Sequence, residues 1–110
     1  MARGSELSLT IRADHLPLLS QAATLAQEKY VTGASLRNWA SYRESASLPA
    51  GLPDWRRHLL TDPQTSGGLL VACEPDRAEG LVARIIGAGY ARASIIGHAA
   101  AGAPFVVVEL

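Results

Sequence analysis

The sequence predicts an α+β domain, a layered sandwich in which helices cover a mostly antiparallel sheet. Three observations lead there. Apolar residues recur at helical spacing in two separate stretches, 17–29 and 78–86. Two runs near the C-terminus, 93–98 and 105–110, have strand composition, with a Gly- and Pro-containing turn between them. A continuous apolar run, Leu69-Leu70-Val71-Ala72-Cys73, suits a strand buried on both faces.

Taken in order, Glu6 to Arg12 reads as a first strand, with Leu7, Thr10 and Ile11 set among polar residues. Asp14-His15-Leu16-Pro17 ends it, and the fixed φ of Pro17 suits a first helical residue. Leu18, Leu19, Ala22, Leu25 and Ala26 then give a helix from Pro17 to about Lys29 with one apolar face. Between Tyr30 and Leu52 the periodicity fails, and Ser35, Ser41, Ser45, Ser47, Pro49 and Gly51 accumulate. That predicts a long loop, and in a small domain such loops are usually functional or partly disordered. Arg37 in it either forks onto phosphate or carboxylate or stays solvated. Asn38 either contacts a ligand or ties the loop to itself. Trp39 and Tyr42 either stack on a base or anchor the loop by burial.

Pro53 opens a short helix running to Leu60, with Trp55 and Leu59 on one face. Arg56 and Arg57 either favour an anion at the turn that follows or face water. Pro63 pushes Asp62 out of the α region, so the helix must stop there. Gln64, Thr65 and Ser66 bring an amide and two hydroxyls, and Gly67-Gly68 allows close backbone approach. Such a bend either surrounds an anion or merely reverses the chain. It is not a Walker-type loop, since no Gly-Lys-Ser/Thr follows. Beyond the apolar run, Asp76 and Glu79 have the spacing of a capping box. Leu81, Val82, Ile85 and Ile86 supply that helix's apolar face, Gly87 and Gly89 stop it, and Gly80 leaves room for another element to approach. The two final strands are expected to form a hairpin through residues 101–104.

Composition narrows the function classes. Ten basic and ten acidic residues cancel, and no Lys/Arg stripe forms, which excludes the electrostatic footprint of nucleic-acid binding. With 48% hydrophobic but only 5% aromatic residues, Leu, Val, Ile and Ala must fill the core of a single domain, 1–110. Cys73 is the only cysteine, which fits a reducing cytoplasm, and at the end of a buried strand it reads as a small core residue and not a nucleophile. His15 reads as a surface or capping residue. His58 lacks a Cys or His partner at metal spacing, so no metal ligand is assigned. No run approaches the roughly 20 apolar residues of a membrane helix, and no signal-peptide core follows Met1-Ala2-Arg3-Gly4-Ser5.

Asp62-Pro63-Gln64-Thr65-Ser66-Gly67-Gly68-Leu69-Leu70 resembles the signature of the C-terminal domain of the selenophosphate synthetases (selenide, water dikinases), which belong with the aminoimidazole ribonucleotide synthetase-like ATP enzymes. Gly33-Ala34-Ser35-Leu36-Arg37-Asn38-Trp39-Ala40-Ser41-Tyr42 resembles a second block of that family, departing from it at Ala34, where a second Gly is expected. The resemblance implies a layered domain distantly similar to the ferredoxin-like arrangement. It also implies a C-terminal piece of a larger enzyme whose N-terminal domain carries the reactive Cys or selenocysteine, the catalytic Lys and the metal-binding Asp residues. The full enzyme is expected to be a homodimer using ATP, magnesium and selenide to make selenophosphate, AMP and phosphate. For this chain the resemblance implies no catalytic residue and no bound cofactor. Its candidates for lining a phosphate and substrate cleft are Asn38, Thr65, Ser66, Gly67 and Gly68. The alternatives are a structural or interaction module, and a related hydrogenase-maturation or purine-synthesis enzyme.

Overall fold

The structure, a computed structural model, describes residues 1–110. Its centre is strand β1 (Leu7–Arg12), which follows a short helix α1 (Ala2–Ser5) closed by Glu6 in the left-handed region at φ 53°. Then come helices α2 (Ala22–Gln27) and α3 (Gly33–Tyr42), strand β2 (Ala46–Ser47), helices α4 (Asp54–Leu60) and α5 (Ala78–Gly87), and strands β3 (Gly97–Ala101) and β4 (Phe105–Glu109). The four strands form one open sheet in the order β2-β4-β1-β3. The fold is α+β, as expected, but the sheet is mixed. β1 runs antiparallel to β3, with Leu9 opposite Ala99, and parallel to β4, with Leu9 opposite Val106. β2 also runs parallel to β4.

The expected hairpin between the last two strands does not form, because β1 lies between them. In that slot β1, with its buried Leu9, lies inside the sheet beside β4, which carries the buried Val108, and the small-residue strand β3 takes the edge. Leu9 and Val108 on the central pair and Ala26 on α2 are the buried apolar residues, and α2 packs on α4. No helix is long and apolar enough to cross a membrane.

Several element boundaries differ from the sequence reading, each for a local reason. The first long helix starts at Ala22 and not Pro17, because segment 15–18 is tied elsewhere: Arg92 Nη1 donates to the Leu18 carbonyl at 2.8 Å and Ser94 Oγ to that of His15 at 2.8 Å. The supposed loop 30–52 contains the ten-residue helix α3, begun by Thr32, whose Oγ1 accepts from the Ser35 N–H at 3.2 Å. The Asp76/Glu79 box is not made. Pro75–Arg77 forms a tight turn ahead of α5, so Arg77, not Asp76, occupies the cap position. α5 does end as predicted, with Gly89 at φ 102°. The strand expected at 93–98 begins only at Gly97.

The largest departure is Leu69–Cys73. It joins no strand and is exposed, Leu69 to 96% and Cys73 with it, so Cys73 is not a core residue. Apolar composition favours burial, but a strand also needs pairing to a neighbour, and this run pairs with none of the four strands.

Two glycines make opposite demands. A Cβ on Gly97 would fall on the Thr10 carbonyl, so β3 approaches β1 through the absence of a side chain. A Cβ on Gly80 would meet nothing within 4 Å, so no element approaches α5 there. Gly97→Ala is therefore expected to destabilise the chain by about 1–3 kcal/mol and Gly80→Ala to stabilise it by about 0.5–1 kcal/mol. Urea unfolding of the two variants checks both signs.

Candidate functional site

The site is built where α4 ends. Thr61 closes the helix, its N–H donating to the Arg57 carbonyl at 3.2 Å, and Pro63 prevents continuation. Helix α3 lies against this end through one face, on which Thr32, Ser35 and Asn38 follow at three-residue intervals. Thr32 Oγ1 donates to Asp62 Oδ1 at 3.3 Å, and Asn38 Nδ2 donates to the Thr61 carbonyl at 2.8 Å. Between them Ser35, 1% exposed, sets its hydroxyl 3.0 Å from His58 Nδ1, 3.1 Å from the His58 carbonyl and 2.8 Å from Thr61 Oγ1. The second oxygen of Asp62 accepts from Gln64 Nε2 at 2.8 Å. Both carboxylate oxygens therefore hold the chain on either side of Pro63.

Past this root the environment changes. Thr61 and Asp62 are half-buried, while every residue from Pro63 to Arg77 is exposed. No backbone group from Pro63 to Cys73 takes part in a main-chain hydrogen bond. The hydroxyls of Thr65 and Ser66 have no hydrogen-bond partner within the chain. Gly67 is required by the bend itself, since a Cβ there would lie 2.8 Å from Gln64 Cβ. Gly68 has open space around it.

Of the five expected site residues, Thr65, Ser66, Gly67 and Gly68 lie together on the exposed bend. Asn38 does not join them. It sits on a helix and its amide is engaged at Thr61, at the root of the bend and not at its tip. Arg37 is exposed. Arg56 and Arg57 turn away from the bend: Arg56 pairs with Asp14 at 2.7 Å and lies over the Trp55 ring, and Arg57 pairs with Asp54 at 3.0 Å. Trp39 is half-buried and Tyr42 is 60% exposed.

The sequence reading missed Thr32, Ser35, His58 and Thr61. A signal for the first two was available, a Thr followed three residues later by Ser at the head of Ala34, Leu36, Arg37 and Ala40, all compatible with a helix. Beside the root, Leu25, Tyr30, His58 and Asp62 help line a recess of about 150 Å³. A larger recess of about 430 Å³, bordered by Arg12, His15, Val82 and Ile86, includes none of the five residues.

Chemically the bend offers two hydroxyls and a run of free amide N–H groups, held at one end by a carboxylate and an amide side chain. That is a donor array without a cation of its own, suited to oxygen atoms of a phosphate or carboxylate. Asn38→Ala would remove the partner of the Thr61 carbonyl. The expected loss is about 1–2 kcal/mol in urea unfolding, accompanied by shifts of the amide resonances of Asp62 and Gln64. An unchanged spectrum at 62–68 would contradict the tie.

No protein-family model matches the chain. Among curated proteins it is 58% identical over 108 residues to a selenide, water dikinase of Rhizobium meliloti, 47% over 108 residues to one of Pseudomonas straminea, and 46% over 102 residues to one of Paraburkholderia xenovorans. These alignments cover 98%, 98% and 93% of this chain, but 31%, 30% and 29% of the relatives. The chain thus spans about a third of the length of the curated relatives it matches. The resemblance read from the two sequence blocks is a relationship along nearly the whole chain.

Proposed function

From the premise that this chain is a stretch of the selenide, water dikinase family, we propose that residues 1–110 form one domain of an ATP-dependent enzyme that makes selenophosphate from selenide, releasing AMP and phosphate. In this reading the domain closes the phosphate and substrate cleft from one side and is inactive alone. The remaining two thirds of the enzyme binds the nucleotide and supplies the reactive side chains; the whole works as a cytoplasmic homodimer, as the resemblance implies.

The observation that carries the reading is the bend. Thr65 and Ser66 keep unpaired hydroxyls, Gly67 and Gly68 keep unpaired backbone amides, and all four are exposed. Donors held in advance on a fixed root stabilise charge on a transferring phosphoryl group without having to reorganise. Asn38 contributes from beneath, by holding the root. Magnesium would be held by the rest of the enzyme, where the resemblance places the metal-binding Asp residues.

Two measurements test this. Calorimetry of the 110-residue chain with ATP and magnesium is expected to give no micromolar binding and no AMP; either one would overturn the division of labour. In a full-length enzyme carrying this sequence, Ser66→Ala is expected to lower selenophosphate formation by about 100-fold with melting unchanged. Intact activity, or simple unfolding, would instead make the segment a structural module.

A further inference from the structure

Ser35 is the chain's one buried polar residue, and its surroundings contain a hydrogen-counting problem. Four short contacts run through two hydroxyls: Ser35 Oγ to His58 Nδ1 at 3.0 Å, to the His58 carbonyl at 3.1 Å and to Thr61 Oγ1 at 2.8 Å, then Thr61 Oγ1 to the Arg57 carbonyl at 2.9 Å. Each hydroxyl has one hydrogen, and carbonyls have none. With a bare Nδ1, two hydrogens serve four contacts, and two of those contacts set lone pairs against each other around the buried Ser35. With a hydrogen on Nδ1, a directed chain forms. His58 Nδ1–H donates to Ser35 Oγ, Ser35 to Thr61 Oγ1, and Thr61 to the Arg57 carbonyl. One contact then lacks a hydrogen of its own, since the single Ser35 hydrogen serves both Thr61 Oγ1 at 2.8 Å and the His58 carbonyl at 3.1 Å. Buried polar groups left without partners are destabilising, and successive hydrogen bonds pointing one way reinforce each other. The hydrogen count therefore selects the Nδ1–H form of His58, with the lone pair on Nε2.

We propose that Ser35 is a positioning residue. It holds His58 in that form, fixes the Thr61 side chain, and through Thr61 sets the direction in which the 62–68 bend leaves α4. The functional part of this inference rests on the bend being the working surface proposed above; the hydrogen-bond chain does not. Thr61 is the hinge of the arrangement, because its hydroxyl ends the chain from Ser35 while its carbonyl receives Asn38.

The test is ¹⁵N NMR of the imidazole rings in the whole chain, under alkaline conditions where the rings are neutral. His58 is expected to carry its hydrogen on Nδ1. His98, exposed and without a side-chain hydrogen bond, serves as the reference for the Nε2–H form that free imidazole prefers. Thr61→Val removes the hydroxyl with little change of shape, and Thr61→Ser keeps it. The Val variant and Ser35→Ala are each expected to shift the amide resonances of Asp62 and Gln64–Gly68 beyond the spread seen for strand residues 97–101, and Thr61→Ser to restore them. The proposal is overturned if His58 in the unsubstituted chain is in the Nε2–H form, or if the bend amides stay in place in both variants. The ring measurement decides even where Ser35→Ala fails to fold. None of these readouts involves turnover, so they separate a failure of this proposal from a failure of the cleft reading.

Discussion

Everything at the candidate site depends on the contact between one face of α3 and the end of α4. Thr32, Ser35 and Asn38 meet Asp62, Thr61 with His58, and the Thr61 carbonyl respectively. A hydrogen bond of this kind contributes about 0.5–1.5 kcal/mol net, so no single one decides the fold. Their effect is directional. A helix is stiff, and three groups at fixed spacing along it define where the next segment starts. The segment beginning there, Pro63 to Cys73, has no comparable ties of its own apart from the Gln64 side chain.

That contrast between a fixed root and an unpaired tip connects structure to function. In the proposed reading the bend meets phosphate oxygens, and such a loop gains most when its donors are placed before the ligand arrives. Asp62 supplies placement through both carboxylate oxygens, and Gly67 lets the chain fold back close to Gln64. Thr65, Ser66 and the amides of Gly67 and Gly68 are left available. The same segment then continues into exposed Leu69, Leu70 and Val71. Polar donors and apolar side chains thus leave the root together, on a chain about a third as long as its relatives.

Much of the fold was legible in the sequence where composition and geometry agree. α4 begins one residue after the predicted Pro53, β1 and β4 lie within a residue of their expected ends, and α5 stops at its glycines. α3 was not legible, because periodicity finds helices by an apolar stripe, and the row that α3 sets against the end of α4, Thr32, Ser35 and Asn38, is polar. Leu69–Cys73 misled for the opposite reason: its apolarity is real, but pairing is a property of a strand and its neighbour together. For the site, donor chemistry left the bend open between an anion loop and a plain turn, and the family resemblance singled out its residues; the structure places Thr65, Ser66, Gly67 and Gly68 together and exposed. Asn38 was singled out for its amide, yet only the structure gives that amide its partner, 23 positions along the chain at Thr61.

The most direct test of a donor-rich bend facing a shared cleft is amide hydrogen exchange, measured in a full-length enzyme carrying this sequence with and without a non-hydrolysable ATP analogue and magnesium. Without nucleotide, amides 65–68 should exchange rapidly while those of α3 and of strand 97–101 are protected. With it, 65–68 should slow while the protected elements stay as they were. If 65–68 exchange equally fast in both states, the bend does not meet the phosphates and the account of the site is wrong.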